Sequence, residues 1–285
     1  MIATTTRPAP AAPADHPVLQ ALLSRPQPAV MGVLNVTPDS FSDGGQFVAP
    51  ERALAQARRM IAEGADIIDI GAESTRPYGG AQPVSVEEEL NRLRPVLAEI
   101  VSLGVPVSID SMKSPVVAWA LEAGAVIAND VWGLQRDPGM AELLAARHAP
   151  VIVMHNRDRV DADIDIMKDI AAFFARSLEI AARAGISQSN IVLDPGIGFG
   201  KTPEQSMTAL ARLEELRSFG LPLLVGASRK RFISSVTPSE PHQRLGGSIA
   251  AHLVAAQAGA RIIRTHDVSE TVQALRVAAA IWDKR

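Results

Sequence analysis

The sequence predicts an α/β protein, folded as a single-domain TIM (β/α)8 barrel. Eight short apolar segments recur along the chain, and each is followed by a segment with the apolar spacing of an amphipathic helix. The length of 285 residues is close to the roughly 250 residues typical of such barrels. Polar residues also recur at the carboxyl ends of the apolar segments, although a buried parallel strand does not need them for stability.

A doubly wound parallel sheet is the alternative arrangement of the same alternating elements. Such a sheet more often has fewer strand–helix units and a glycine-rich nucleotide fingerprint after its first strand. The segment after the first predicted strand, residues 35–45, reads NVTPDSFSDGG and contains no such fingerprint. The barrel is therefore preferred.

The strands are predicted from short apolar runs and the helices from apolar spacing between them. The strands are expected over 29–34, 65–71, 105–110, 125–130, 151–155, 191–194, 221–226 and 260–266. The helices are expected over 51–63, 85–104, 114–123, 138–147, 167–184, 203–219, 247–258 and 269–282. Ser85 is the expected N-cap of the second helix, because Glu88 follows it at capping-box spacing.

Residues 1–28 are rich in Ala, Pro and Thr, which predicts a mobile N-terminal tail before a domain over 29–285. Within the tail, only 18–23 has the spacing of a short helical turn. A transit peptide is the rival interpretation, but the prolines make a poor amphipathic helix. No segment has the apolar core of a secretory signal or the length of a membrane span. A cytoplasmic protein without a membrane partner is therefore expected.

The composition excludes several classes of function. The net charge of −3 and the pI of about 6.1 provide no basic field for a nucleic-acid partner. Aromatic residues make up only 4% of the chain, so platforms for base stacking are not expected. Cysteine is absent, which excludes disulfides and thiolate catalysis and favours a reducing compartment.

The polar residues at the strand ends form the candidate site. They are Asn35, the segment 73–76, Asp110, Asn129, His155, Asp194, Lys230, Arg264 and His266. In a barrel these ends converge on one face, where active sites form. Each residue alone is equally well explained as a helix cap or a loop hydrogen bond, but their recurrence at the strand ends favours a functional site.

One half of this set fits a flat nitrogen heterocycle. Asp110, Asn129 and Asp194 present acceptors and an amide to a ring edge that alternates N–H and C=O groups. Lys230 adds a donor.

The other half fits an anion such as a phosphate. The donors in this half are Asn35, Thr75, Arg76, Arg264 and His266. The carbonyl oxygen of Asn35 is also a suitable ligand for Mg2+.

Two other candidate motifs do not match the patterns of known binding sites. The segment 196–202, GIGFGKT, resembles a phosphate-binding P-loop, but Pro195 stands where the pattern needs a glycine. A dinucleotide fingerprint fails too, because its third glycine would fall at Lys201. The histidines show no metal-binding spacing, so His155 is predicted to be a core or supporting residue.

The chain closely resembles the bacterial dihydropteroate synthases. The matching motifs are LNVTPDSFSDGG (34–45), ESTRP (73–77), SIDSMK (108–113), AND (128–130), VMH (153–155), LDPGIGFGK (193–201), GASRK (226–230), RLGGS (244–248) and RTHDV (264–268). They follow the order of the family and span nearly the whole chain. The resemblance implies a pterin-binding TIM-barrel transferase of folate biosynthesis that uses Mg2+ and forms a homodimer. Its substrates would be 7,8-dihydropterin-6-ylmethyl diphosphate and 4-aminobenzoate, whose sulfonamide mimics inhibit the family.

The resemblance also implies a role for individual residues. The pterin would be bound by Asp110, Asn129, Met154, Asp194, Phe199 and Lys230. The diphosphate would be bound by Thr75, Arg76, Arg264 and His266, with Asn35 as the metal ligand. The aminobenzoate would be bound by Phe41, Thr75, Arg76, Pro77, Lys230 and Arg231. The catalytic residues would be Asp110, Lys230, Arg264 and His266. Arg231 departs from the family, because many members have Ser at this position.

Two rival functions share parts of this pattern. A pterin-binding methyltransferase has the same barrel and ring pocket, but it has no need of the phosphate-binding segments. A catalytically silent pterin-binding protein would be expected to lose Lys230, Arg264 or His266, and all three are present. Release of diphosphate distinguishes these possibilities.

Overall fold

Eight parallel strands close into a barrel in a computed structural model that describes residues 16–37, 48–73 and 84–284. Each strand pairs with its neighbours in the sequence, and the last strand closes the barrel against the first. The strands are β1 (Ala29–Asn35), β2 (Ile67–Gly71), β3 (Val107–Asp110), β4 (Ile127–Asp130), β5 (Val151–Met154), β6 (Ile191–Asp194), β7 (Leu223–Val225) and β8 (Ala260–Thr265). The predicted TIM barrel is therefore confirmed.

Ten of the eleven helices of the described residues surround the barrel and cover its outer face, and the first helix lies at its lower end. The helices are α1 (Pro17–Leu23), α2 (Val48–Ala62), α3 (Val86–Leu93), α4 (Leu97–Val101), α5 (Ser114–Glu122), α6 (Met140–Ala146), α7 (Ile166–Ala184), α8 (Pro203–Ala211), α9 (Arg231–Val236), α10 (Leu245–Gln257) and α11 (Val268–Trp282). Short 3-10 segments span Gln188–Asn190, Leu213–Phe219 and Pro241–Gln243. Among these helices, none is both long and apolar enough to cross a lipid bilayer.

Two of the predicted helices are interrupted. The helix expected over 85–104 is divided into α3 and α4 near Pro95, whose ring removes a backbone donor and disfavours a continuous helix. Its predicted N-cap is present, because the Ser85 Oγ accepts a hydrogen bond of 3.2 Å from the Glu88 N–H. The helix expected over 203–219 ends at Ala211 and continues as a 3-10 segment. Helix α9 lies in a segment for which no helix was predicted.

The interior of the barrel has an apolar lower layer. Because side chains of a strand alternate between its two faces, every second residue of each strand points inward. The lower layer consists of Ala29, Met31, Ile67, Ile127, Ile152, Val192, Leu224 and Ile262, all buried. These side chains fill the half of the barrel nearest the amino ends of the strands.

Helix α1 closes the lower end of the barrel. Leu19 and Leu22 belong to the same apolar cluster as the lower layer and are 0% and 6% exposed. Arg261 at the start of β8 donates a hydrogen bond of 2.6 Å to the carbonyl oxygen of Leu23, which fixes the end of the helix. The short helical turn expected over 18–23 lies within α1, and burial of its two leucines packs it against the barrel. Residues 1–15 lie outside the described part of the chain.

Candidate active site

One step above the lower layer, the inward residues of β2, β3, β4, β6 and β8 are polar. This upper layer consists of Asp69, Asp110, Asn129, Asp194 and Arg264. Four of them follow residues of the lower layer by two positions on the same strand, as Asp69 follows Ile67, and so share its inward face. The upper layer lies at the carboxyl ends of the strands, the end at which TIM barrels place their active sites.

Arg264 joins two strands across the upper layer. Its Nε donates to Asp69 Oδ2 at 2.6 Å, and its Nη2 donates to Asp110 Oδ2 at 2.7 Å. Burial disfavours the charge of Arg264, but the two carboxylates outweigh that effect and raise its pKa above its usual range. Burial raises the pKa of Asp110, and the charge of Arg264 opposes that rise. The guanidinium is therefore held as a fixed cation at the base of the site.

Three buried oxygens of this layer have no hydrogen-bond partner among the described residues. They are Oδ1 of Asp69, Oδ1 of Asp110 and Oδ1 of Asn129. The other end of the Asn129 amide donates to Asp69 Oδ2 at 3.0 Å, which fixes the orientation of this amide. Buried acceptors without donors are unfavourable, so their presence in one layer indicates a ligand that supplies N–H groups.

Asp194 adds a fourth inward-facing acceptor at the end of β6. Its Oδ1 accepts a hydrogen bond of 2.8 Å from the backbone N–H of Gly196, and the side chain is 5% exposed. Burial raises the pKa of Asp194 to about 6, although the hydrogen bond from Gly196 favours the charged form. The carboxylate is therefore ionised at neutral pH and becomes neutral under mildly acidic conditions.

An apolar wall lies beside these acceptors. Val131, Met154 and Phe199 form a small buried cluster, against which Met112 and Trp132 pack. The Lys230 Nζ lies 4.0 Å from the centroid of the Phe199 ring, a cation–π contact. An apolar wall opposite a set of fixed acceptors fits a small flat ring with polar edges.

The loops after β7 and β8 are tied together at the rim. The Ser228 Oγ accepts a hydrogen bond of 3.2 Å from the His266 N–H and lies 3.0 Å from the His266 Nδ1. Arg229 has a positive φ of 57° and forms an ion pair with Asp267, its Nε lying 3.1 Å from Oδ2. These contacts place Lys230 and His266 on the same side of the barrel mouth. Arg231 is the exposed first residue of α9.

Asn35 ends β1 opposite Gly71 of β2 and is half-buried. The part of the chain that the structure describes contains no group of three or more His, Cys, Asp or Glu side chains arranged to hold a metal ion. Mg2+ usually keeps several waters and binds through one or two protein oxygens together with the phosphates of a substrate. A single protein ligand, Asn35, therefore fits a Mg2+ ion that binds together with a phosphate-bearing substrate.

Four of the predicted site residues lie outside the described ranges. They are Phe41, Thr75, Arg76 and Pro77. Glu73, which precedes one of these segments, is buried away from the acceptors and pairs with Lys113 at 2.5 Å. Lys113 pairs also with Glu89 at 2.8 Å, so Glu73 belongs to a supporting ion-pair cluster.

Asp69 and Lys201 were missed as site residues by the sequence analysis. Asp69 lies inside its strand and not at the end, so a search of strand ends passes over it. Alternation would have found it, because Asp69 follows inward-facing Ile67 by two residues. Lys201 was considered only as part of a P-loop; it is buried and contacts His155, which is itself 0% exposed, consistent with the predicted supporting role.

Comparison with known proteins agrees with this arrangement. The model of the pterin binding enzyme family matches residues 31–266, so the chain is a member of that family. The dihydropteroate synthase of Bacillus subtilis is 43% identical over 270 residues, which cover 94% of this chain and 94% of that protein. A structure of the Clostridium difficile dihydropteroate synthase, determined in the presence of pteroic acid, is 46% identical with a TM-score of 0.87, over 90% of this chain and 97% of that one. The Xanthomonas albilineans dihydropteroate synthase with 4-aminobenzoic acid is 44% identical with a TM-score of 0.86, over 90% and 94% of the two chains.

At this identity and coverage, the chain belongs to the dihydropteroate synthases within the pterin binding enzyme family. The resemblance found in the sequence motifs is thereby confirmed.

Proposed function

We propose that this chain is a transferase of folate biosynthesis that condenses 7,8-dihydropterin-6-ylmethyl diphosphate with 4-aminobenzoate, giving 7,8-dihydropteroate and diphosphate. The observation that carries the proposal is the group of unpartnered buried oxygens on Asp69, Asp110 and Asn129 beside the apolar wall. A pterin ring supplies the N–H donors that these acceptors lack. The relatives determined with pteroic acid and with 4-aminobenzoic acid support the same two substrates.

The pterin ring would lie between the acceptors and the apolar wall. Asp194 and Asn129 would accept hydrogen bonds from its N–H groups, and Met154 and Phe199 would cover its face. Lys230 would donate to a ring acceptor while staying against Phe199. Since these groups are held in place before the ligand arrives, little conformational entropy is lost when the ring binds.

The reaction would exchange one bond for another at the methylene carbon of the pterin. The C–O bond to diphosphate breaks, and its electron pair leaves with the diphosphate. The aniline nitrogen forms the new C–N bond and then loses a proton. Asp110 would stabilise the positive character that develops on the pterin methylene, while Arg264 and His266 would stabilise the negative charge on the leaving group. No side-chain nucleophile is required for this exchange.

Mg2+ is part of the proposal as a cofactor, with the Asn35 carbonyl oxygen as its protein ligand. When bound, it would neutralise charge on the diphosphate and make it a better leaving group.

The aminobenzoate would bind nearer the mouth of the barrel than the pterin. By resemblance, Phe41, Thr75, Arg76 and Pro77 would form this part of the site, with Thr75 and Arg76 also near the diphosphate. Arg231 would offer its guanidinium, or the backbone N–H of the first turn of α9, to the aminobenzoate carboxylate.

A homodimer and a cytoplasmic location complete the proposal. The homodimer is supported by large apolar side chains exposed on neighbouring helices: Val254 on α10 is 49% exposed, and Val277 and Ile281 on α11 are 55% and 58% exposed. The cytoplasmic location is supported by a sequence without cysteine, which gains nothing from an oxidising compartment.

The decisive experiment measures diphosphate release from dihydropterin diphosphate and Mg2+, with and without 4-aminobenzoate. The proposal expects release and dihydropteroate formation to depend together on the aminobenzoate. Asp110→Asn serves as the matched inactive control, because it keeps the shape of the side chain and removes its charge. Binding of the pterin without any release of diphosphate would overturn the proposal in favour of a silent pterin-binding protein or a methyltransferase.

A further inference from the structure

Lys201 is a buried amine that lies behind the wall of the pterin pocket, and burial lowers its pKa to about 7. It is 1% exposed, and its Nζ lies 2.6 Å from the His155 Nδ1, 2.9 Å from the Gly196 carbonyl oxygen and 3.1 Å from the Phe199 carbonyl oxygen. An ammonium group has three protons to donate, and these three acceptors surround it. Lysine is seldom buried this completely, because its charge must leave water.

His155 continues this contact toward the surface. Its Nε2 lies 2.9 Å from Asp169 Oδ2 on α7. With Nδ1 accepting from Lys201, the ring proton lies on Nε2 and is donated to Asp169. Burial, together with the charge of Lys201, lowers the pKa of His155 to about 4, so the ring is neutral at physiological pH. A neutral imidazole thus joins the Lys201 ammonium to the Asp169 carboxylate.

The segment held by Lys201 connects two predicted pterin ligands. It begins after Asp194 and ends at Phe199, whose ring contacts Lys230. Gly196 has a φ of +62°, and a Cβ at this position would lie 1.9 Å from the His155 carbonyl oxygen. There is therefore no room for a side chain at position 196 that could anchor the segment. The backbone carbonyl groups of Gly196 and Phe199 are the groups through which Lys201 holds it.

We propose that Lys201, oriented by His155 and Asp169, is a positioning residue that sets the place of Phe199 and of the backbone beside Asp194 in the pterin pocket. The inference rests on the proposed function, since it concerns the binding of that substrate. Lys201 is not a catalytic residue, because its ammonium faces the backbone of the segment and not the pocket. An apolar side chain would fill the same space without the cost of burying an ionisable group, so what Lys201 adds is its three polar contacts, with the His155 ring and with two backbone carbonyl oxygens.

The test compares Lys201→Met with Lys168→Met, a control at an exposed lysine of α7. Binding is measured with 6-hydroxymethylpterin, which carries the ring without the diphosphate, and steady-state kinetics are measured for both substrates. Lys201→Met should raise the Kd for this pterin and the KM for dihydropterin diphosphate by about tenfold. The KM for 4-aminobenzoate and the behaviour of Lys168→Met should stay at the wild-type values. A folded Lys201→Met variant with wild-type pterin affinity, or with both KM values raised equally, would overturn the inference.

If Lys201→Met does not fold, Asp169→Ala decides the question. Asp169 is partly exposed, so its removal frees the His155 ring without leaving a cavity in the core. The inference expects a rise of about threefold in the Kd for 6-hydroxymethylpterin, with the aminobenzoate KM unchanged. An unchanged Kd would overturn it. If the wild-type protein binds no pterin and releases no diphosphate, the proposed function is wrong. If the wild type is active and the variants bind pterin as it does, only the inference about Lys201 is wrong.

Discussion

The lower and upper layers of the barrel interior come from the same strands, two residues apart, yet one is apolar and the other is charged. Ile67 in the lower layer packs against other aliphatic side chains, while Asp69, next on the same face, meets Arg264. In the lower layer, burial of apolar area stabilises the fold directly. In the upper layer, burial takes carboxylates and a guanidinium out of water. Their mutual attraction outweighs this desolvation for Arg264 but not for Asp110 and Asp194, whose pKa values are raised. Along the axis of the barrel, the lower layer thus stabilises the fold and the upper layer provides the groups for binding.

The largest effect on the upper layer should come from Asp110→Asn. This change keeps the shape of the side chain but removes the charge that faces the pterin methylene, so kcat should fall by about 100- to 1000-fold. The free energy of unfolding should change by no more than about 1–2 kcal/mol. Steady-state kinetics and urea unfolding would measure the two effects. Asp66→Asn is the matched control at the opposite end of the barrel, where Asp66 accepts a hydrogen bond from Val30 N–H; an equal loss of kcat there would contradict the separation.

The converse change is Leu19→Ala in α1, which packs against the lower layer. The fully buried Leu19 closes the barrel on the side away from the site, so its truncation should lower the free energy of unfolding by about 2–5 kcal/mol. The kcat of the folded protein should remain at the wild-type value. Gln20→Ala, at an exposed position of the same helix, controls for loss of helix contacts. A fall in kcat that accompanied the loss of stability would mean that the two layers are not independent.

A third prediction concerns the stability cost of the upper layer. The pKa of Asp194 is about 6 in the folded protein, above the value of about 3.8 of the free side chain. Between these values the folded state binds more protons than the unfolded state, so the contribution of Asp194 to stability is lost as the pH rises from about 4 to 6. Asp194→Asn should therefore gain stability relative to wild type over this range, by up to about 3 kcal/mol.

Urea unfolding at several pH values measures this difference. The exposed Asp163→Asn provides the control and should follow the wild-type dependence on pH. A constant difference between Asp194→Asn and wild type from pH 4 to 6 would show that the buried carboxylate does not carry this cost.

The smallest effect concerns the pH dependence of activity. Because Asp194 becomes neutral below about pH 6, it should lose strength as an acceptor for the pterin, and kcat/KM for dihydropterin diphosphate should fall by a further factor of about ten per pH unit below that value. This fall adds to the one from protonation of Asp110, whose pKa burial raises to about 7. Asp194→Asn should have a lower value without this break near pH 6. Comparison of the two proteins with the same substrate cancels ionisation of the substrate itself, and a break that persists in Asp194→Asn would assign it to another group.

The barrel could be predicted from the sequence because each strand is a short apolar run with a polar residue at its end. Residues 191–194, for example, were predicted and observed with the same bounds. Helix α9 was not predicted, because its six residues, RFISSV, lack an apolar period long enough to recognise. The closing helix α1 had the spacing of a helix, but nothing in residues 1–28 showed which surface would bury its leucines.

The candidate site could be predicted only in part from the sequence. The acceptors at strand ends were named correctly as residues of one face, but the partners of Arg264 depend on closure of β8 against β1, which brings residues 195 positions apart into contact. Arg264 was predicted to bind the diphosphate, and the structure pairs it with Asp69 and Asp110. Its role toward a phosphate stays a prediction.

Helix α1 and the lower layer fill the amino end of the barrel, so within the described residues the upper layer is open only toward the carboxyl ends of the strands. Any molecule seated against Asp110 and Asn129 has entered from the carboxyl end and must leave by the same route. A second molecule bound above the first would block its exit, and two molecules joined by a bond leave together as one. The architecture therefore favours arrival of the deeper ligand before the upper one.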